Sequence, residues 1–107
     1  MSHDVPEIGP HDCRVRIESG AFLLDVRNAD EWTAGHATDA VWIPMDEIEQ
    51  RRDELPTDRE IVVICKSGGR SAAVTEALRS WGHDAVNLAG GSLAWKAEGL
   101  PFEGDVA

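Results

Sequence analysis

A run of β-branched residues leads directly into a glycine-containing turn, and this succession constrains the fold more than any other feature of the chain. The run, Ile61–Ile64, has the length and composition of a strand buried on both faces of a sheet. Residues 65–71 follow with two glycines, and residues 72–81 place apolar side chains at helical spacing. A buried strand, a tight turn and a helix in succession predict an α/β unit with parallel strand pairing.

Strands and helices alternate along the rest of the chain. Asn28 and Glu31 have the spacing of a capping box at a helix start, whereas residues 13–17 are compatible with either a strand or a helical turn. Strands are predicted near residues 7–8 and over 21–26, 40–43 and 85–88, and helices over 28–34, 45–55 and 92–97. The pattern predicts an α/β fold with a central, mainly parallel sheet flanked by helices. A length of 107 residues predicts one domain spanning residues 1–107.

The charge balance excludes several classes of partner. With 20 acidic against 10 basic side chains, the formal net charge is -10, so nucleic acids and anionic membranes would be repelled. No run approaches the roughly 20 apolar residues that a membrane-spanning helix needs. Residues 1–4 carry neither the basic nor the apolar region of a signal peptide. These features predict a cytoplasmic monomer whose two cysteines, Cys13 and Cys65, are reduced.

Cys65 stands where the central strand would end, at the edge of a parallel sheet where ligands bind. Glycine-rich turns and helix N-termini present backbone N–H groups to an anion, and both stabilise the nucleophilic thiolate. Residues 61–75 contain no acidic residue, where the average for this chain would be about three. Without the residues around it, a cysteine at the end of a strand would more simply be a buried structural thiol, and this is the alternative interpretation of Cys65. The predicted site comprises Cys65 as nucleophile and the loop residues Lys66, Ser67, Gly68, Gly69, Arg70 and Ser71.

Several segments, in order along the chain, resemble the signatures of rhodanese-like domains, the thiosulfate sulfurtransferases and their single-domain relatives. The matching segments are Leu23-Leu24-Asp25-Val26-Arg27 with Glu31-Trp32 and Gly35-His36, then Ile43-Pro44, the loop over residues 65–71, and residues 87–95 followed by Gly99-Leu100-Pro101. The resemblance covers about residues 5–102, nearly the whole chain. It departs from the family pattern at residues 37–40, where a glycine usually precedes the alanine, so an altered turn is expected there.

The resemblance implies a three-layer rhodanese-like fold with a helix near residues 10–18. It implies a sulfurtransferase that moves a sulfane sulfur from thiosulfate or a related small anionic donor, through a persulfide on Cys65, to cyanide or a thiol, including that of a thioredoxin-like protein. No cofactor is implied, and the histidines have no metal-ligand spacing with either cysteine. A persulfide carrier or regulatory module that acts with a protein partner is the alternative. A phosphatase or arsenate reductase of this fold fits less well, because four residues separate Cys65 from Arg70 and cysteine phosphatases have five.

Five residues carry expectations of their own. Arg70, like Lys66, would hold the anionic donor, but a guanidinium is equally suited to pair with a carboxylate and brace the loop. Asp25 and Glu31 are the predicted partners for that bracing. Trp95 is expected to border the mouth of the site. Cys13 is expected to be a structural thiol rather than a partner of the nucleophile.

Overall fold

A computed structural model describes residues 5–107. Residues 1–4, which belong to the predicted domain and on which the signal-peptide expectation rests, lie outside the described part. Within that part the strands are β1 (Glu7–Ile8), β2 (Phe22–Asp25), β3 (Gly35–Ala37), β4 (Val41–Trp42), β5 (Ile61–Ile64), β6 (Ala85–Leu88) and β7 (Phe102–Gly104). The α-helices are α1 (Pro10–Glu18), α2 (Ala29–Ala34), α3 (Gly69–Ser80) and α4 (Gly91–Ala97). Two 3₁₀ helices, Met45–Glu47 and Arg52–Glu54, lie between β4 and β5.

The β-branched run forms the middle strand of a five-stranded sheet. The strand order is β1-β6-β5-β2-β4 and every pairing is parallel. Strand β5 pairs with β2 on one side and β6 on the other, and all four of its residues are buried. Because both neighbours are parallel to it, the ends of β2, β5 and β6 reach the same edge of the sheet. The predicted α/β class and the central position of Ile61–Ile64 are confirmed.

Two apolar clusters, one on each face of the sheet, make a three-layer structure. Alternate residues of β5 point to opposite faces, as the pleat of a strand requires. Val63 packs with Val74 and Leu78 of α3, while Ile64 packs with Cys13 of α1 and Trp95 of α4. No helix within residues 5–107 is long and apolar enough to cross a membrane.

Trp95 does not border the mouth of the site as expected. Its side chain is only 2% exposed and belongs to the core cluster beneath α1 and α4. Its indole N–H donates to the carbonyl oxygen of Pro101 at 2.8 Å, which satisfies the one polar group of the ring. The tryptophan therefore contributes packing on the face of the sheet opposite α3.

The predicted capping box at α2 is present. The Asn28 side chain accepts from the backbone N–H of Glu31 at 3.1 Å, and the Glu31 carboxylate accepts from the backbone N–H of Asn28 at 3.2 Å. Residues 13–17, which the sequence pattern left ambiguous, lie within α1, which has Pro10 in its first turn, as the family resemblance implied.

The single helix predicted over residues 45–55 is wrong. The segment instead forms the two 3₁₀ helices joined by turns. Helices in proteins are stabilised mainly by burying an apolar face, and here only Ile48 and Leu55 are buried. The Arg51 side chain bonds to both Glu47 and Glu54, which holds the turns together at the surface.

A second, two-stranded sheet was not predicted. Strand β3 pairs antiparallel with β7, so residues 102–104 are part of the fold. A Cβ on Gly35 would lie 2.6 Å from the Glu103 carbonyl oxygen, so only glycine permits this close approach. Strands of three residues are too short to give a periodic signal in a sequence.

Candidate active site

The Cys65 thiol lies immediately beyond β5, at the edge where the parallel strands end. The residue is only 1% exposed. Its Sγ accepts a hydrogen bond from the Gly68 backbone N–H at 3.1 Å and another from the Ser71 hydroxyl at 3.2 Å. Both donors belong to the turn and first residues of α3, so the sulfur sits at the positive end of that helix.

These donors decide the ionisation of the thiol. Burial acts to raise the pKa of Cys65, but hydrogen bonds from the Ser71 side chain and backbone and from the Gly68 and Ser67 backbone outweigh it, and the pKa lies below its ordinary value. Cys13 shows the opposite result, because burial raises its pKa to about 12. The site therefore favours a thiolate at Cys65, the nucleophilic form of the side chain.

The start of α4 holds the other side of the loop. The Ser92 backbone N–H donates to the Cys65 carbonyl at 2.8 Å, and the Leu93 N–H donates to the Lys66 carbonyl at 3.1 Å. Gly91 makes this contact possible, since a Cβ there would lie 2.5 Å from the Lys66 backbone and its φ is +57°. The N-termini of two helices thus hold the loop. The start of α3 donates to the Cys65 sulfur, and the start of α4 donates to the Cys65 and Lys66 carbonyls.

Arg70 forms a bidentate ion pair with Glu31. Its Nη1 lies 2.6 Å from Oε1 of the carboxylate and its Nη2 lies 2.8 Å from Oε2. The hydrogen bond from Arg70 lowers the pKa of Glu31 from an ordinary value of 4.5 to about 2, and Glu31 in turn raises the pKa of Arg70. Of the two arrangements predicted for Arg70, the structure contains the carboxylate pair.

Asp25, the other predicted partner, does not pair with Arg70. Its carboxylate instead accepts from Arg27, with Nε to Oδ1 at 3.0 Å and Nη2 to Oδ2 at 2.8 Å, and both side chains are 0% exposed. Arg27 also donates to the Gly35 carbonyl at 2.7 Å. The buried pair joins the end of β2 to β3, and a fully buried arginine is rare enough that sequence reasoning did not single it out.

Asn87 is a further residue that the sequence analysis did not select as part of the site. Its Nδ2 donates to the Gly68 carbonyl at 3.1 Å and to Oε2 of Glu7 at 3.0 Å. The signal was present in the sequence, because Asn87 is the one polar residue among the four of β6. Buried polar groups in strands generally have a specific partner.

A cleft of about 530 Å³ opens beside the loop. Its lining residues are Val26, Arg27, Asn28, Pro44, Met45, Asp46 and Arg70. The Val26 N–H donates to the Ile64 carbonyl, so the cleft wall adjoins the strand that carries Cys65. Lys66 is partly buried, and among residues 5–107 its side chain has no hydrogen-bond or ion-pair partner.

The contribution of the Arg70–Glu31 pair to the free energy of unfolding should be lost at low pH. Glu31 is ionised in the folded protein down to about pH 2 but in the unfolded chain only down to about 4.5. Its contribution is therefore complete above pH 4.5 and is lost as the pH falls towards 2. We expect about 1–2 kcal/mol, since Arg70 is 38% exposed and screened by solvent. Urea unfolding of wild type and Glu31→Gln checks this: the difference in unfolding free energy should shrink across that window, and a constant difference would contradict it.

Comparisons with known proteins agree with this geometry. The Rhodanese-like domain family model matches residues 10–98. A protein named Sulfurtransferase from Allochromatium vinosum is 41% identical over 90 residues, covering 83% of this chain and 84% of that protein. Thiosulfate sulfurtransferase GlpE from Actinobacillus pleuropneumoniae serotype 3 is 32% identical over 105 residues, covering 96% and 97%. The crystal structure of a rhodanese-related protein from Thermoplasma volcanium matches with a TM-score of 0.84 and 33% identity, covering 91% and 96%.

Proposed function

The chain belongs to the rhodanese-like domain family, and we propose that it transfers a sulfane sulfur from thiosulfate or a related donor to a thiophilic acceptor through a persulfide on Cys65. Its relatives named sulfurtransferase support a transferase of the rhodanese type. The observation that carries the proposal is the hydrogen bonding of the Cys65 sulfur by Gly68 and Ser71 at the start of α3. These donors would stabilise a thiolate and then a persulfide anion.

The reaction has two displacements at sulfur. In the first, the Cys65 thiolate attacks the outer sulfur of thiosulfate, a new sulfur–sulfur bond forms, and the old one breaks with its electron pair leaving on sulfite. In the second, cyanide or a thiolate attacks the outer sulfur of the persulfide, and Cys65 leaves as the thiolate. Each step conserves electrons, and the scheme predicts ping-pong kinetics. Lys66 would attract the anionic donor, because its ammonium has no partner among residues 5–107.

Arg70 supports sulfur transfer over phosphate-ester hydrolysis. Both terminal nitrogens of its guanidinium are already bonded to Glu31 at 2.6 and 2.8 Å. A phosphatase of the cysteine type would need that guanidinium to bind phosphate bidentately. Four residues between Cys65 and Arg70 also enclose a smaller loop than the five of such phosphatases.

Intact mass spectrometry after addition of thiosulfate tests the proposal. We expect a gain of roughly 32 Da, one sulfur atom, by capture at the nucleophile, and its loss on addition of cyanide with release of thiocyanate. A protein that shows no adduct, or that hydrolyses a phosphate ester faster than it consumes thiosulfate, would contradict the proposal.

The choice of acceptor separates an independent enzyme from a module that serves a protein partner. The persulfide-loaded protein is offered cyanide, glutathione or a reduced thioredoxin-like protein, and the rate of sulfur loss is compared. Rapid loss to cyanide or glutathione supports the independent enzyme. Loss only to the protein thiol supports the alternative of a persulfide carrier.

A further inference from the structure

Asn87 occupies a position where an apolar residue would be the ordinary choice. It is the third residue of β6, is 0% exposed, and stands in register with Val63 of β5 and Glu7 of β1. A buried amide costs free energy unless its hydrogen bonds are made. The contacts that Asn87 makes therefore indicate what it does.

Both contacts come from the same amide nitrogen and go to oxygen acceptors. Nδ2 donates to the Gly68 carbonyl at 3.1 Å and to Oε2 of Glu7 at 3.0 Å. This arrangement fixes the orientation of the amide, because the opposite orientation would place Oδ1 against two oxygens. Oδ1 itself is buried and has no partner among residues 5–107. The side chain is thus held at one end, by Glu7, and delivers its second N–H to the loop.

The bond to Gly68 reaches the sulfur through one residue. Gly68 has φ +109° and ψ -8°, a left-handed conformation, and its carbonyl accepts from both Asn87 and the Ala72 N–H. Its own N–H donates to the Cys65 sulfur at 3.1 Å. Because the two dihedral angles fix the N–H relative to the carbonyl, anchoring the carbonyl also aims the N–H at the sulfur.

We propose that Asn87, oriented by Glu7, is a positioning residue that holds the Gly68 N–H on the Cys65 sulfur. Within residues 5–107 the donors to the sulfur are Gly68 and Ser71, so Asn87 acts through Gly68. Its importance for catalysis rests on the proposed sulfur transfer, whereas its effect on the thiol is independent of any sulfur donor. Lys66 and Arg70 also flank the thiol, and variants that leave both intact isolate the contribution of Asn87.

The test is the pH dependence of Cys65 alkylation by iodoacetamide, followed by intact mass in the full chain. In Asn87→Leu, which keeps the volume but removes the donor, we expect the apparent pKa of Cys65 to rise by about 0.5–1 unit. Alkylation below that pKa then slows by about 3- to 10-fold, and the rates converge at high pH. Asn87→Asp should raise the pKa at least as much, since it places an acceptor against the Gly68 carbonyl and adds negative charge.

Matched controls separate positioning from a general loss of stability. Val86→Ala lies in the same buried strand and should lower the unfolding free energy without moving the pKa of Cys65. Glu7→Gln keeps an oxygen acceptor and should have no effect, whereas Glu7→Ala, at an exposed position on the edge strand, should raise the pKa slightly even if the Asn87 variants fail to fold. An unchanged pKa in every folded variant of Asn87 and in Glu7→Ala would overturn the inference. Absence of a persulfide in wild type, with the alkylation shift present, would overturn only the proposed function.

Discussion

Replacement of Cys65 by serine is expected to lower the rate of thiocyanate formation from thiosulfate and cyanide by roughly 10³-fold or more, the scale seen when a nucleophile is removed. The serine hydroxyl ionises far above neutral pH and forms no persulfide, so the double displacement has no first step. The thiosulfate adduct in intact mass spectra should disappear with the activity. The buried position and the donors Gly68 and Ser71 remain in this variant, so its fold should be retained.

Cys13→Ala is the matched control for that result. Cys13 is fully buried on the opposite face of the sheet, and its thiol donates to the Ile8 carbonyl at 3.8 Å. The control should keep its turnover rate within a few-fold and lose some stability from the smaller side chain. Sulfur transfer that survives in Cys65→Ser, or that is lost in a folded Cys13→Ala, would exclude Cys65 as the sole nucleophile.

The features that sequence reasoning predicted are local ones. The β-branched run of Ile61–Ile64, the turn after it and the capping box at Asn28 each depend on residues within one or two turns of chain, and each is present. The predicted roles of the site residues stay predictions until the thiol is tested. Long-range partners were predicted less sharply. For Arg70 the sequence suggested two carboxylates as partners, and in the structure Arg70 pairs with one of them, Glu31.

The features that were missed depend on contacts between distant segments. Asn87 reaches Gly68 across 19 positions and Glu7 across 80, and strand β7 pairs with β3 from the far end of the chain. A short window of sequence does not contain both partners of such a contact. The helix predicted over residues 45–55 failed for a related reason, since composition reports helix propensity and tertiary packing decides whether a helix forms.

The acid-free stretch over residues 61–75 acquires a different meaning in three dimensions. Glu31, from a separate helix, neutralises Arg70, so this arginine supplies less positive charge to the loop than the sequence implied. The donors at Gly68 and Ser71 remain as the direct stabilisers of the sulfur. The local field on Cys65 is therefore set more by oriented dipoles than by formal charges, and it should depend only weakly on salt concentration.

The buried pair of Asp25 and Arg27 should give the largest change in stability. Arg27→Met leaves the Asp25 carboxylate without its counter-ion at a position that is 0% exposed, and breaking such a pair costs about 3–5 kcal/mol. Small domains are typically stable by only about 5–15 kcal/mol. We therefore expect the urea concentration at the midpoint of unfolding to fall strongly when unfolding is monitored by tryptophan fluorescence. Trp42, whose indole N–H donates to the Arg27 carbonyl at 2.8 Å, lies close enough to report it.

A double variant separates the effect of the unpaired Asp25 charge from the effect of the lost arginine packing. Asp25→Asn combined with Arg27→Met removes the uncompensated carboxylate and keeps an oxygen that can accept from the backbone N–H of residue 27. It should be more stable than Arg27→Met alone. Arg51→Met, which removes a surface arginine paired with Glu47 and Glu54, should cost far less than Arg27→Met. If the double variant were the least stable of the three, removing the buried charge would not have restored any unfolding free energy. The loss in Arg27→Met would then come mainly from packing and from the contact with the Gly35 carbonyl.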